Sequence, residues 1–183
     1  GSYYLTADVN GQAGQIGIRI ESDSVKLDLM GFTVYGLPGS LHGIETEESM
    51  QYIEIANGRV INWGGSGITL IGRVHRVRNV EAIRNGVSGI TVGELAEIEH
   101  CTALENDAFG IRCISGRVRD STANLNIGDG ISLTGNGAIE RCNSGGNEGR
   151  GILVNTQVLV IDCLAAGNLG DGISTGGGCV VRG

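Results

Sequence analysis

Three charged residues, Asp129, Arg150 and Asp171, stand 21 residues apart, each immediately before a Gly-Ile pair. If the chain coils with that period, they share one column. Carboxylates two coils apart would be separated by about 9.6 Å when strands stack at about 4.8 Å. That is near the upper limit for inverting glycoside hydrolysis, about 6.5–9.5 Å, in which one carboxyl protonates the leaving oxygen and the other activates water. The guanidinium between them suggests a second chemistry, an arginine acting as the base of a β-elimination. The competing reading is an ion-pair ladder. A cation flanked by two acids keeps both ionised, which suits a salt bridge better than a general acid.

A second candidate set is aromatic, because sugar clefts offer flat rings. Tyr35, Tyr52 and Trp63 are the candidate substrate-binding residues. Six of the seven aromatics precede residue 64, and only Phe109 follows. The same residues would otherwise cap or fill the first coils. No metal site is expected: His42, His75 and His100 fall in different columns, and the five cysteines show no Cys-x-x-Cys spacing.

The elements that must position these residues follow from the Gly-Ile pairs. They begin at Gly17, Gly43, Gly67, Gly89, Gly110, Gly130, Gly151 and Gly172, spaced by 26, 24, 22, 21, 20, 21 and 21 residues. Such a period marks a repeat architecture. Four residues before each of the last five pairs stands an Asn: Asn85, Asn106, Asn126, Asn147 and Asn168. Alternation such as Ile131-Ser132-Leu133 is the period-2 mark of a short strand, and no stretch shows helical spacing. Strand repeats of about 21 residues bury an apolar face only by stacking. The expected fold is therefore all-β, a parallel β-helix of about eight coils. It forms a single domain over 3–183, with Gly1-Ser2 set aside as a cloning scar.

The segments Val25–Phe32 and Ile53–Gly58 and the Asn-x-x-x-Gly-Ile repeats resemble the right-handed, single-stranded parallel β-helix of the pectin-lyase-like superfamily. That superfamily hosts lyases, hydrolases, epimerases, adhesins and inert scaffolds, so the resemblance implies fold more than activity. Met30 replaces an Asn often found in the first segment, which predicts that an Asn ladder fails in the first coil. Polygalacturonases of the superfamily place catalytic Asp and His immediately before a Gly-hydrophobic strand start. Asp129 and His42 match such positions, but His42 lies about four coils away and no Asp-Asp pair is present. Pectate-lyase-like enzymes use an arginine base, the role that Arg150 would take. No cofactor is expected, except calcium if the protein is such a lyase.

Net charge is −7 with a single lysine, Lys26. That argues against nucleic acid, which needs a basic face. No apolar run is long enough for a membrane span. Two outward columns, Arg76-Glu97-Arg117 and Arg78-Glu99-Arg119-Glu140, alternate in sign coil by coil, as register-fixing ladders do. Cys101, Cys142 and Cys163 share a column of small residues and are expected to be buried and reduced. Cys179 and Val181 fall one period after Val158 and Val160, so the chain stops inside a coil. An uncapped C-terminal coil capable of end-to-end self-association is expected. The leading expectation for function is a secreted or cell-surface domain, its signal peptide removed, with a structural or carbohydrate-recognition role and polysaccharide as partner. The rival is a polysaccharide lyase or glycoside hydrolase acting on uronic-acid-containing glycans.

Overall fold

A computed structural model describes residues 1–183. Each coil is a triangle of three short strands, because every run of alternating apolar residues is only three to five long before a corner interrupts it. The third face is the Gly-Ile face, with eight parallel strands from Ile18–Ile20 to Ile173–Thr175. Its register pairs Ile90 with Ile111, Ile111 with Ile131, Ile131 with Ile152 and Ile152 with Ile173. The first face runs from Ser2–Tyr4 through Lys26–Asp28 to Val180–Arg182. The second runs from Val9–Asn10 to Leu164–Ala166. Two long strands, Glu54–Ile61 and Arg76–Ile83, pass through the bend between these faces and join them into one sheet.

The result is a parallel β-solenoid of about nine turns rather than eight. The extra turn arises because Ser2–Tyr4 pairs with Lys26–Asp28. Ser2 is thus part of the fold, and the Gly1 carbonyl accepts a bond from the Lys26 amide at 2.8 Å.

The core is made of stacked columns. Ile44, Ile68, Ile90, Ile111, Ile131 and Ile152 are fully buried in one of them. Ile55, Val77, Ile98, Val118, Ile139 and Val160 form another, and Ala82, Ala103 and Ala123 a third. Each large member contributes about 1.5–3 kcal/mol by leaving water. Alanine in the third column leaves room for the asparagines. Asn85, Asn106, Asn126 and Asn147 are fully buried. Each carboxamide nitrogen donates to the next oxygen, at 3.0, 2.9, 2.9 and 2.8 Å up to Asn168. Each oxygen also accepts the preceding coil's backbone amide. The ladder starts only at Asn85, where Trp63 takes the column position and its amide donates to the Asn85 oxygen at 3.1 Å.

The corners are turned by residues in the left-handed backbone region. Met30, Asn57, Asn79, His100, Asp120, Arg141 and Asp162 turn the first corner, with φ of 50–60°. Asn62, Arg84, Glu105 and Leu125, then Gly146 and Gly167, turn the second. Ser24, Tyr52, Val74 and Leu95 turn the third. This conformation costs L-residues about 1–2 kcal/mol each, which packed coils on either side must outweigh. The outward charge ladders form only in part as the alternation predicts, since Arg78 turns to Glu54 and Arg117 to Glu140, each outside its own column. Arg76 Nε meets Glu97 at 2.8 Å, Arg78 Nε meets Glu54 at 2.9 Å, and Arg119 Nε meets Glu99 at 3.0 Å.

Candidate functional site

The stack brings Asp129, Arg150 and Asp171 into one column, with Gly110, Gly130 and Gly151 amides bonded to their carbonyls in turn. The side chains do not behave as three equal members. Arg150 grips Asp129 with Nε and Nη2, each at 3.0 Å, and its own amide donates to Asp129 Oδ1 at 2.8 Å. Asp129 is only 6% exposed, so the pair is largely shielded from water. Asp171 is exposed and forms no ion pair with Arg150. The hydrogen bond to Asp129 pushes the Arg150 guanidinium pKa further up. A base for β-elimination needs the opposite shift, since it must give up its proton near neutral pH. Both Asp129 oxygens are also engaged, so Asp129 is not free to act as a general acid.

The position before each Gly-Ile pair has a structural task on other coils too. His42 Nδ1 accepts the Ser66 amide at 2.9 Å, and Ser66 Oγ accepts the Ser88 amide at 3.3 Å. Side chains here hold the next coil's backbone, as Asp129 does for Arg150.

The three candidate aromatics separate. Trp63 is 1% exposed, and its indole nitrogen donates to the Val34 carbonyl at 2.9 Å. It offers no ring face to a ligand, because it plugs the core where the asparagine ladder stops. Tyr35 is 39% exposed on the second face, its hydroxyl accepting from Asn62 at 2.7 Å. Tyr52 is the open one, at 57%. It follows Ser24 in the third-corner column, with Val74 and the exposed Leu95 on the next two coils. These three apolar side chains line a surface groove of about 360 Å³ together with Lys26, Glu54, Arg76 and Glu97. The charges are paired, Lys26 with Glu54 at 3.8 Å and Arg76 with Glu97, so the rim is polar but nearly neutral. The sequence signals Tyr52. It does not signal Val74 or Leu95, because nothing in the local pattern marks a valine or leucine as a left-handed corner residue.

His75 lies beneath this groove, 1% exposed. Its Nδ1 accepts the Ile53 amide at 3.2 Å and its Nε2 donates to the Ile71 carbonyl at 3.3 Å. Burial lowers its pKa below 6.5, and it serves as a neutral bridge in the wall.

No three His, Cys, Asp or Glu side chains converge as a metal site would require. The five cysteines are free. Cys101 and Cys142 are buried as expected, each thiol donating to the carbonyl two residues back. Cys163 departs from the expectation. It is half-buried, and its sulfur accepts the Cys142 amide at 3.5 Å. Hydrogen bonding by Cys142 lowers its pKa to about 7.

The fold and site define an all-β parallel solenoid with an open, mixed-polarity corner groove. No family model matches the chain, and no curated protein matches it. Among solved structures, the Siphovirus 9NA tailspike receptor binding domain aligns at 12% identity with a TM-score of 0.40, covering 90% of this chain and 51% of that one. The chain thus spans about half the length of that structure, and a likeness at this level bears on neither activity nor ligand.

Proposed function

We propose that this solenoid binds a neutral glycan at its third corner and does not cleave it. The observation that carries the reading is the groove of Tyr52, Val74 and Leu95 within the paired rim of Lys26, Glu54, Arg76 and Glu97. An exposed tyrosine face accepts the apolar side of a sugar ring, and the rim supplies donors and acceptors for its hydroxyls. The nearly neutral rim and the net charge of −7 favour an uncharged polysaccharide over a polyuronate. The Asp129–Arg150 pair supports the non-cleaving half of the reading. A place in the pectin-lyase-like superfamily, resting on the Asn-x-x-x-Gly-Ile repeats, and a secreted or cell-surface location belong to the same proposal.

The test is a panel of neutral and uronic polysaccharides, assayed in parallel for retention of the protein and for new reducing ends or unsaturated products. Retention by a neutral glycan, lost in Tyr52→Ala and kept in Tyr35→Ala, is the expected result. No retention by any member would overturn the recognition role. Cleavage abolished by Arg150→Ala would establish the rival enzyme.

A further inference from the structure

The second face differs from the other two in what it turns outward. The first face shows its charge ladders, and the third shows Arg19, Glu45, Thr69, Thr91 and Arg112 between its inward residues. The second shows Tyr35, Ile61, Ile83 and Leu104, paired in register on four successive coils. None of the four is fully buried, and Tyr35 is 39% exposed. Leu125, 55% exposed, extends the apolar strip at the corner of the following coil. Parallel sheets are normally covered on both sides, and a contiguous outward apolar row is a feature of interaction surfaces.

The flanks of the row identify the occupant. On one side lie Arg59, Glu81 and Thr102 in register. On the other lie the corner residues Asn62, Arg84 and Glu105. A two-fold axis parallel to the solenoid axis and lying against this face keeps each coil at its own level and exchanges the flanks. Glu81 of one copy then meets Arg84 of the other, twice, on either side of an Ile83–Ile83 contact. Arg59 meets Asn62, Thr102 meets Glu105, and no like charges meet. An arrangement with the axes antiparallel about Ile83 would instead oppose Glu81 to Glu81 and Arg84 to Arg84.

The geometry points to a second copy of this chain as the partner of the second face, packed face to face with parallel solenoid axes. The contact has an apolar centre and a self-complementary charged rim, the usual anatomy of a homodimer interface. It closes at two copies, whereas end-to-end stacking would give open polymers. It lies on a different face from the Tyr52 groove and is independent of the glycan reading.

The test is sedimentation velocity on the intact protein across a wide concentration range. The parent is expected to show a concentration-dependent dimer. Ile83→Glu is expected to be monomeric with an unchanged circular dichroism spectrum and melting curve. Glu81→Arg should weaken the dimer at least tenfold by setting Arg against Arg84. Adding Arg84→Glu in the same chain should restore it. A parent that stays monomeric throughout, a dimer indifferent to Ile83→Glu, or a double variant no tighter than the single would each overturn the assignment.

Discussion

Asn126→Ala tests the asparagine ladder at a fully enclosed point. The Asn126 side chain is fully buried and makes four hydrogen bonds. Its oxygen accepts the Asn106 amide at 3.0 Å and the Asn106 carboxamide at 2.9 Å. Its nitrogen donates to the Ala103 carbonyl at 3.2 Å and to Asn147 Oδ1 at 2.9 Å. Alanine removes all four. The Asn106 carboxamide keeps Ala82, and Asn147 Oδ1 keeps the residue 126 amide. The Asn106 backbone N–H loses its acceptor where water cannot enter. An orphaned buried group costs about 1–3 kcal/mol and each of the three other lost bonds about 0.5–1.5, so a total of about 2.5–7.5 kcal/mol is expected. That is a large share of a typical domain's 5–15 kcal/mol. Asn168→Ala is the control. Asn168 is only half-buried, so water can replace its bonds, and about 1 kcal/mol or less is expected. Urea melts of both variants, compared at unchanged m-value, give the measurement. A loss below about 1 kcal/mol at Asn126, or equal losses at the two sites, would refute the claim that enclosure sets the ladder's worth.

Three further outcomes are expected. His75 is held neutral by burial with its pKa lowered, so the unfolded chain binds the extra proton more readily. Its stabilising contribution is whole above about pH 6.5, falls as pH drops through the window down to the folded-state pKa, and is absent from His75→Gln; the check is urea midpoints for both proteins between about pH 8 and 5. Gly72 has φ +119°, and a Cβ there would run into the Met50 carbonyl; Gly72→Ala should cost at least about 2 kcal/mol by chemical denaturation. The Cys101 and Cys113 thiols are pushed up to about 12 by burial, whereas Cys163 is lowered to about 7. A disulfide reagent near pH 8 should therefore modify Cys163 first and reach Cys101 and Cys113 only in denaturant, as mass spectrometry of the labelled peptides would show.

What the sequence made legible was whatever repeats. The Gly-Ile spacing determines the inward isoleucine stack, and the Asn spacing determines the ladder, because a fixed period converts directly into register. Sign alternation predicted the Arg119–Glu99 pair for the same reason. The irregular first coils were less readable. The sequence left Trp63 as either a sugar platform or a filler of the first coils, and it is the filler: it takes the place of an asparagine in the ladder column and fills that volume with an indole. Tyr52, Val74 and Leu95 come together through left-handed corners, a conformation that sequence announces for glycine but not for valine or leucine. Stacking predicted that Asp129, Arg150 and Asp171 share a column. It did not predict that Arg150 commits both donors to Asp129 and leaves Asp171 to solvent, since rotamer choice within a column carries no periodic signal.

The asparagine ladder also has a polarity. Every carboxamide from Asn85 to Asn147 donates from its nitrogen to the oxygen of the asparagine on the following coil. Amide dipoles aligned head to tail add, as they do along an α-helix. The apolar interior therefore carries an axial dipole, negative toward Trp63 and positive toward Asn168, in a medium that screens it poorly. The two ends of the stack are electrostatically distinct before any ionised side chain is counted. The Trp63 end favours a nearby cation, and the Asn168 end favours an anion.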